Sequence, residues 1–149
     1  MIIARRDFAF PSGIEDRRAS TYTTVFRFDV PVTSGSVTIS SGTATIGPPT
    51  FNGQEMSVTL TGVTNAQRVI LHVENVNDCG LTEGNVPIGF LLGDTSSDTA
   101  VNSRDISGTR SQLGHLVTGE NFRFDVTADG NLDLADVRLV KSKNGTSLP

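Results

Sequence analysis

The chain is predicted to be mainly β with a small α part: an antiparallel β-sandwich over residues 1–93, then two acidic loop–helix repeats over 94–149. Three observations carry this. Five or more short segments rich in β-branched and aromatic residues precede Gly93, set apart by turn-forming residues and without helical period. After Gly93 the phrase DTSSDTAVNSRDISGTRSQLG returns as DVTADGNLDLADVRLVKSKNG, with Asp94 matched to Asp125. The acids of this second part are gathered, whereas those before it are scattered.

The elements follow in chain order. The opening stretch MIIARRDFAFPSGIEDRRAS has no apolar core of signal-peptide length, so it is not expected to direct secretion. TYTTVFRFDVPV alternates and reads as a strand, and GSVTISSGTATI continues the pattern until the breaker GPPTFNG. EMSVTLTGV, QRVILHVENV and NVPIGFLLG supply further strands, divided by TNA and NDCGLTEGN. Met56, Val58 and Leu60 are expected on the core face, with Ser57 and Thr59 outward. Val69, Leu71 and Val73 alternate with Ile70 and His72, which predicts a strand covered on both faces. In the repeats, helices are expected over 103–113 and 134–143, each stopped near a glycine (Gly114, Gly145).

Composition excludes several function classes. The 149 residues carry a net charge of −4 with no basic patch, so no nucleic-acid partner is expected. No apolar run is long enough for a membrane helix. One cysteine, Cys79, excludes an internal disulfide framework and a Cys-rich zinc site. Cys79, His72 and His115 are taken as structural or incidental, since none has a plausible catalytic partner in the sequence. No G-x-S-x-G elbow presents a nucleophilic serine. FRFDV occurs at 26–30 and again at 122–126, but only the second leads into an acidic loop, so the recurrence is treated as coincidence.

The acidic repeats match a calcium loop. Such a loop takes oxygen ligands from positions 1, 3, 5, 7 (a main-chain carbonyl), 9 and 12. Loop one supplies Asp94, Ser96, Asp98, the Ala100 carbonyl, Asn102 and Asp105; loop two supplies Asp125, Thr127, Asp129, the Asn131 carbonyl, Asp133 and Asp136. The hard, all-oxygen set suits Ca2+, one ion per loop and two in all, rather than zinc. Position 8 is apolar in both copies (Val101, Leu132), as expected if the loops bond back to back. Gly130 stands at the sharp sixth position of loop two where loop one has Thr99, so loop two is expected to bind calcium more tightly.

The two copies resemble the paired repeats of a type I dockerin module, with an EF-hand-like calcium loop and exiting helix but no clear entering helix. The preceding VFRFDVPVTSGSVTI … MSVTLTGVTNAQRVILHVENVNDCGLTEGN is similar to bacterial immunoglobulin-like domains. The resemblance implies an extracellular or cell-surface bacterial protein whose calcium is mainly structural. It also implies attachment to a cohesin-like domain, as dockerins anchor glycoside hydrolases of polysaccharide degradation into assemblies. The partner-reading positions implied are Ser103, Arg104, Arg110 and Ser111 in copy one, and Leu134, Ala135, Lys141 and Ser142 in copy two. The copies differ at the first pair, which argues against symmetric dual binding. Intramolecular docking onto the sandwich is the other partner expectation, because FLLG joins the two parts without a Pro/Ser linker. The chain is expected to belong to a larger secreted protein. An enzyme reading competes with attachment: a calcium-dependent hydrolase of a glycoside, lactone or ester, for which no acid/base pair outside the loops can be nominated. Sugar binding by the sandwich is disfavoured by the lack of Trp and the single Tyr22.

Overall fold

A computed structural model describes residues 13–78 and 83–149. The expectations for residues 1–12 and for Cys79 lie outside the described residues. The fold is mainly β, with two sheets that do not close into a barrel and two helices. The strands are β1 (Gly13–Glu15), β2 (Thr21–Arg27), β3 (Ser36–Ser41), β4 (Thr45–Ile46), β5 (Thr50–Asn52), β6 (Glu55–Thr61), β7 (Gln67–Glu74) and β8 (Gly84–Phe90). The helices are α1 (Ser103–Ser111) and α2 (Leu134–Ser142). One sheet has the order β1-β8-β7-β3, and the other β2-β6-β4 with β5 also paired to β6.

Two compact units divide the chain. The first takes in Ser20–Thr64 and Arg68–Ile88; the second joins Gly89–Pro149 to Ile14–Ala19 and Asn65–Gln67. The boundary expected at Gly93 therefore has a more interleaved counterpart, with two early segments built into the unit that holds the repeats.

Alternation sets the register in the first unit. Along β6, Met56, Val58 and Leu60 are buried while Thr59 and Thr61 are exposed. Their antiparallel partners on β2 are Phe26, Thr24 and Tyr22, so the large side chains share one face. A one-residue slip would expose that whole set. On β7, Val69, Leu71 and Val73 are buried as expected, but the face carrying Ile70 and His72 is only half-buried. β3 pairs with β7 and shifts register between Ile39 and Ser41. Gly42 follows that irregularity at φ +95, where a Cβ would lie 2.7 Å from the Arg68 carbonyl oxygen, so a side chain there would clash with main chain. Two short strands escape the sequence pattern: β1, and β5 inside the supposed breaker. β5 turns into β6 at Gly53 (φ +59), with Asn52 opposite Glu55.

The second unit has its own small core of Leu91, Val101, Val126 and Val140, bordered by Ile14, Ala66, Leu92, Ile106, Leu139 and Leu148. Its helices are nine residues each, shorter than isolated helices need to be stable in water, so packing and caps must hold them. Both begin with a capping box: Asn102 with Asp105, and Asp133 with Asp136. They end slightly earlier than the sequence suggests, at Ser111 and Ser142, and the chain then turns at Gly114 (φ +78) and Gly145 (φ +90).

The copies embrace reciprocally. Ala100 pairs with Ser147, and its repeat equivalent Asn131 pairs with Leu116, the equivalent of Ser147. Gly145 N–H donates to the Val101 carbonyl at 2.8 Å, and Gly114 N–H to the Leu132 carbonyl at 2.9 Å. The apolar eighth positions thus bond to the segment following the other copy's helix, and the back-to-back loop pairing expected from sequence is replaced. The short helices and their glycine turns bring that segment alongside the opposite loop.

Candidate metal centre

Each loop is wound around its first and twelfth carboxylates. In loop one, Asp94 Oδ1 accepts from Asp98 N–H (3.1 Å) and Asp94 Oδ2 from Thr99 N–H (2.9 Å). Asp105 Oδ1 accepts from Ser96 N–H (2.9 Å), and Asp105 Oδ2 from Asn102 N–H (2.8 Å). Loop two repeats this bond for bond. Asp125 accepts from Asp129 N–H (3.1 Å) and Gly130 N–H (2.9 Å), while Asp136 accepts from Thr127 N–H (3.0 Å) and Asp133 N–H (2.9 Å). Asp94, Asp105, Asp125 and Asp136 are all buried, whereas Asp98 and Asp129 are exposed at the loop rims. The backbone follows the same plan, with left-handed residues at Ser97 and Thr99 in loop one and at Ala128 and Gly130 in loop two.

In loop one the ligand atoms of Asp94, Asp98 and Asp105 all lie within 4.8 Å of one another. Oxygens on opposite sides of a calcium ion are roughly 5 Å apart, twice a Ca–O distance of about 2.4 Å. These three carboxylates are thus close enough together that they could hold a metal ion. The Thr95 and Ser96 hydroxyls and the Asn102 amide hydrogen-bond to these carboxylates, and the Arg104 charge also favours the ionised form of Asp98. Burial pushes the Asp94 carboxyl above its usual range, opposed by the Thr99 and Asp98 amides and reinforced by the charges of Asp105 and Asp98. At the rim, the Ala100 N–H bond holds Asp98 below the usual carboxylate range, helped by Asn102. A bound cation would relieve the crowding at Asp94.

The remaining expected positions lie in the two loops or on the helices that follow them. Ser96, Asn102 and Thr127 are half-buried in the loops, while Asn131 and Asp133 are exposed. Asn102 and Asp133 each cap a helix by accepting from Arg104 N–H (2.8 Å) and Ala135 N–H (2.6 Å). Ser103, Arg104, Arg110, Ser111, Leu134, Ala135, Lys141 and Ser142 are all exposed. The Ser111 and Ser142 hydroxyls donate back to their own helices, at Gly108 and Leu139.

Two residues that sequence reasoning passed over lie beside loop one. Asp16 is buried and pairs with Arg123 at 3.3 Å. Burial pushes Asp16 up to about 7, with Arg123 and Arg17 pulling down and Glu15 pushing further up. The Arg123 guanidinium also donates to the main-chain carbonyls of Ile14 and Asp94, both at 3.2 Å. No local pattern marks a pair so far apart in sequence. The one available sign was an arginine set between two phenylalanines just before loop two.

Family models, curated proteins and solved structures offer no match to this chain.

Proposed function

We propose that the chain is an extracellular calcium-binding attachment module. In this reading an immunoglobulin-like sandwich carries a dockerin-like pair of EF-hand-like loop–helix repeats, and two calcium ions hold the repeats folded. The observation behind it is the duplicated scaffold, in which buried carboxylates at positions 1 and 12 of both loops accept the same set of backbone N–H bonds. Burying carboxylates without cations is costly, so an ion that binds only the folded state adds directly to its stability. The exposed positions on α1 and α2 are open to a cohesin-like partner. Within the repeat unit, Arg18 N–H donates to the Val126 carbonyl at 2.8 Å, which fixes the early segment beside loop two.

The experiment joins a melt to a binding measurement. Calcium at about 100 times its Kd should raise stability by about 2.7 kcal/mol per site, and EDTA should reverse the gain. Recombinant cohesin domains on a biosensor surface should bind in calcium and release in EDTA. A melt indifferent to both additions would refute the calcium reading; a calcium-shifted melt without cohesin binding would refute only the attachment.

A further inference from the structure

The first residue of loop one is braced by a side chain from outside the loop, Arg123, whose position in the other copy is taken by a leucine. Arg123 lies in a short 3-10 turn, Phe122–Phe124, just ahead of loop two. Its guanidinium reaches back to the Asp94 carbonyl oxygen at 3.2 Å. That oxygen also accepts from Ser97 N–H at 3.3 Å, so the peptide following Asp94 is held on two sides. Asp16 ties the arginine in place through its carboxylate and accepts from Gly93 N–H at 2.9 Å through its main-chain oxygen. One residue therefore grips the chain just before Asp94 and the arginine that grips Asp94 itself. The repeat equivalent of Arg123 is Leu92, which has no side-chain donor. Asp16 Oδ2 and Arg123 Nε are buried without a hydrogen-bond partner among the described residues. Such a pair is a poor source of stability, because burying two charges with incomplete partners offsets their attraction.

We propose that Asp16 and Arg123 are positioning residues for metal binding at loop one, setting its affinity by fixing the backbone of Asp94 and acting more weakly on loop two. This rests on the calcium reading above. Fixing the main chain at Asp94 limits the freedom of a carboxylate that must converge with Asp98 and Asp105. The Asp16 charge also cancels that of Arg123, which would otherwise repel a cation beside the loop. Outer-shell partners of metal ligands commonly change affinity by about 10–100-fold.

The test is a calcium titration of the full chain at about pH 8, where Asp16 is ionised, followed by 1H–15N correlation spectra. Thr99 and Gly130 report the two loops separately, since each donates to the first carboxylate of its own loop. In Asp16→Asn and in Arg123→Lys, the midpoint read at Thr99 should rise about tenfold, while that read at Gly130 moves much less. Arg123→Lys keeps the charge and loses the fork, so it still reads the brace if Asp16→Asn fails to fold. Equal shifts at both amides would reduce the pair to a structural role and overturn the proposal, as would no shift at either. A wild-type titration that moves neither amide would instead overturn the calcium reading, and this inference with it.

Discussion

Thr99 and Gly130 hold the same place in the two loops, both with positive φ (+73 and +84). Glycine takes that conformation freely, while a β-branched residue is strained in it by about 1–2 kcal/mol. Thr99→Gly should therefore raise stability in EDTA by about 1 kcal/mol and tighten loop one in calorimetry, narrowing its expected deficit against loop two. Asp16 predicts a pH effect whose direction follows from burial. Its carboxyl, normally near 3.8, is raised to about 7 in the folded chain, so the folded state holds this proton more tightly than the unfolded state. Its contribution is most favourable below about pH 4 and is lost as pH rises through 7, a change of the order of a few kcal/mol. The stability gap between wild type and Asp16→Asn, measured by urea denaturation from pH 5 to 8, should move against the wild type as pH rises. A gap independent of pH would mean Asp16 does not titrate in this window.

At the level of elements, the repeats depend on their ends more than their middles. Nine-residue helices gain little from propensity, and α1 contains Gly108 and four hydroxyl-bearing residues in its span SRDISGTRS. The capping boxes compensate. With calcium removed, Asn102→Ala and Asp133→Ala should each cost about 1 kcal/mol in denaturant melts, separating the capping role from any role as ligand. The helix starts were legible from sequence, and the helix ends to within a residue or two, because an N-cap, an acid three residues on and a following glycine are local signals. The long strands were legible for the same reason: alternation in EMSVTLT and QRVILHVE is a short-range pattern. β1 and β5 were not. Three residues are too few to show a period, and each exists only because a longer strand offers it an edge.

Across the whole molecule, the acids contribute to both charge and assembly. The chain carries −4, and two bound calcium ions would bring it to about zero, a change that bound cations impose on their surroundings. Electrophoretic mobility toward the anode should fall sharply when calcium is added at neutral pH, and Asp94→Ala combined with Asp125→Ala should abolish that fall. The second unit draws on three stretches of chain, Ile14–Ala19, Asn65–Gln67 and Gly89–Pro149, so its core is not contained in the repeats alone. Leu91 N–H bonds to Glu15 and Leu92 N–H to the Asn65 side chain, both joining early segments to the approach to loop one.

The sequence by itself determined the duplicated loops, the spacing of their carboxylates, the helices and the main strands, because each depends on residues within a turn or a strand length of one another. Tertiary structure alone decided that each loop bonds to the tail of the opposite copy, and that a short early segment enters the repeat unit. It also placed Asp16 against Arg123 and Arg123 against Asp94. These contacts join residues far apart along the chain, and their partners are chosen by how the elements pack. Packing is a property of the assembled chain, which no local period, cap or spacing encodes.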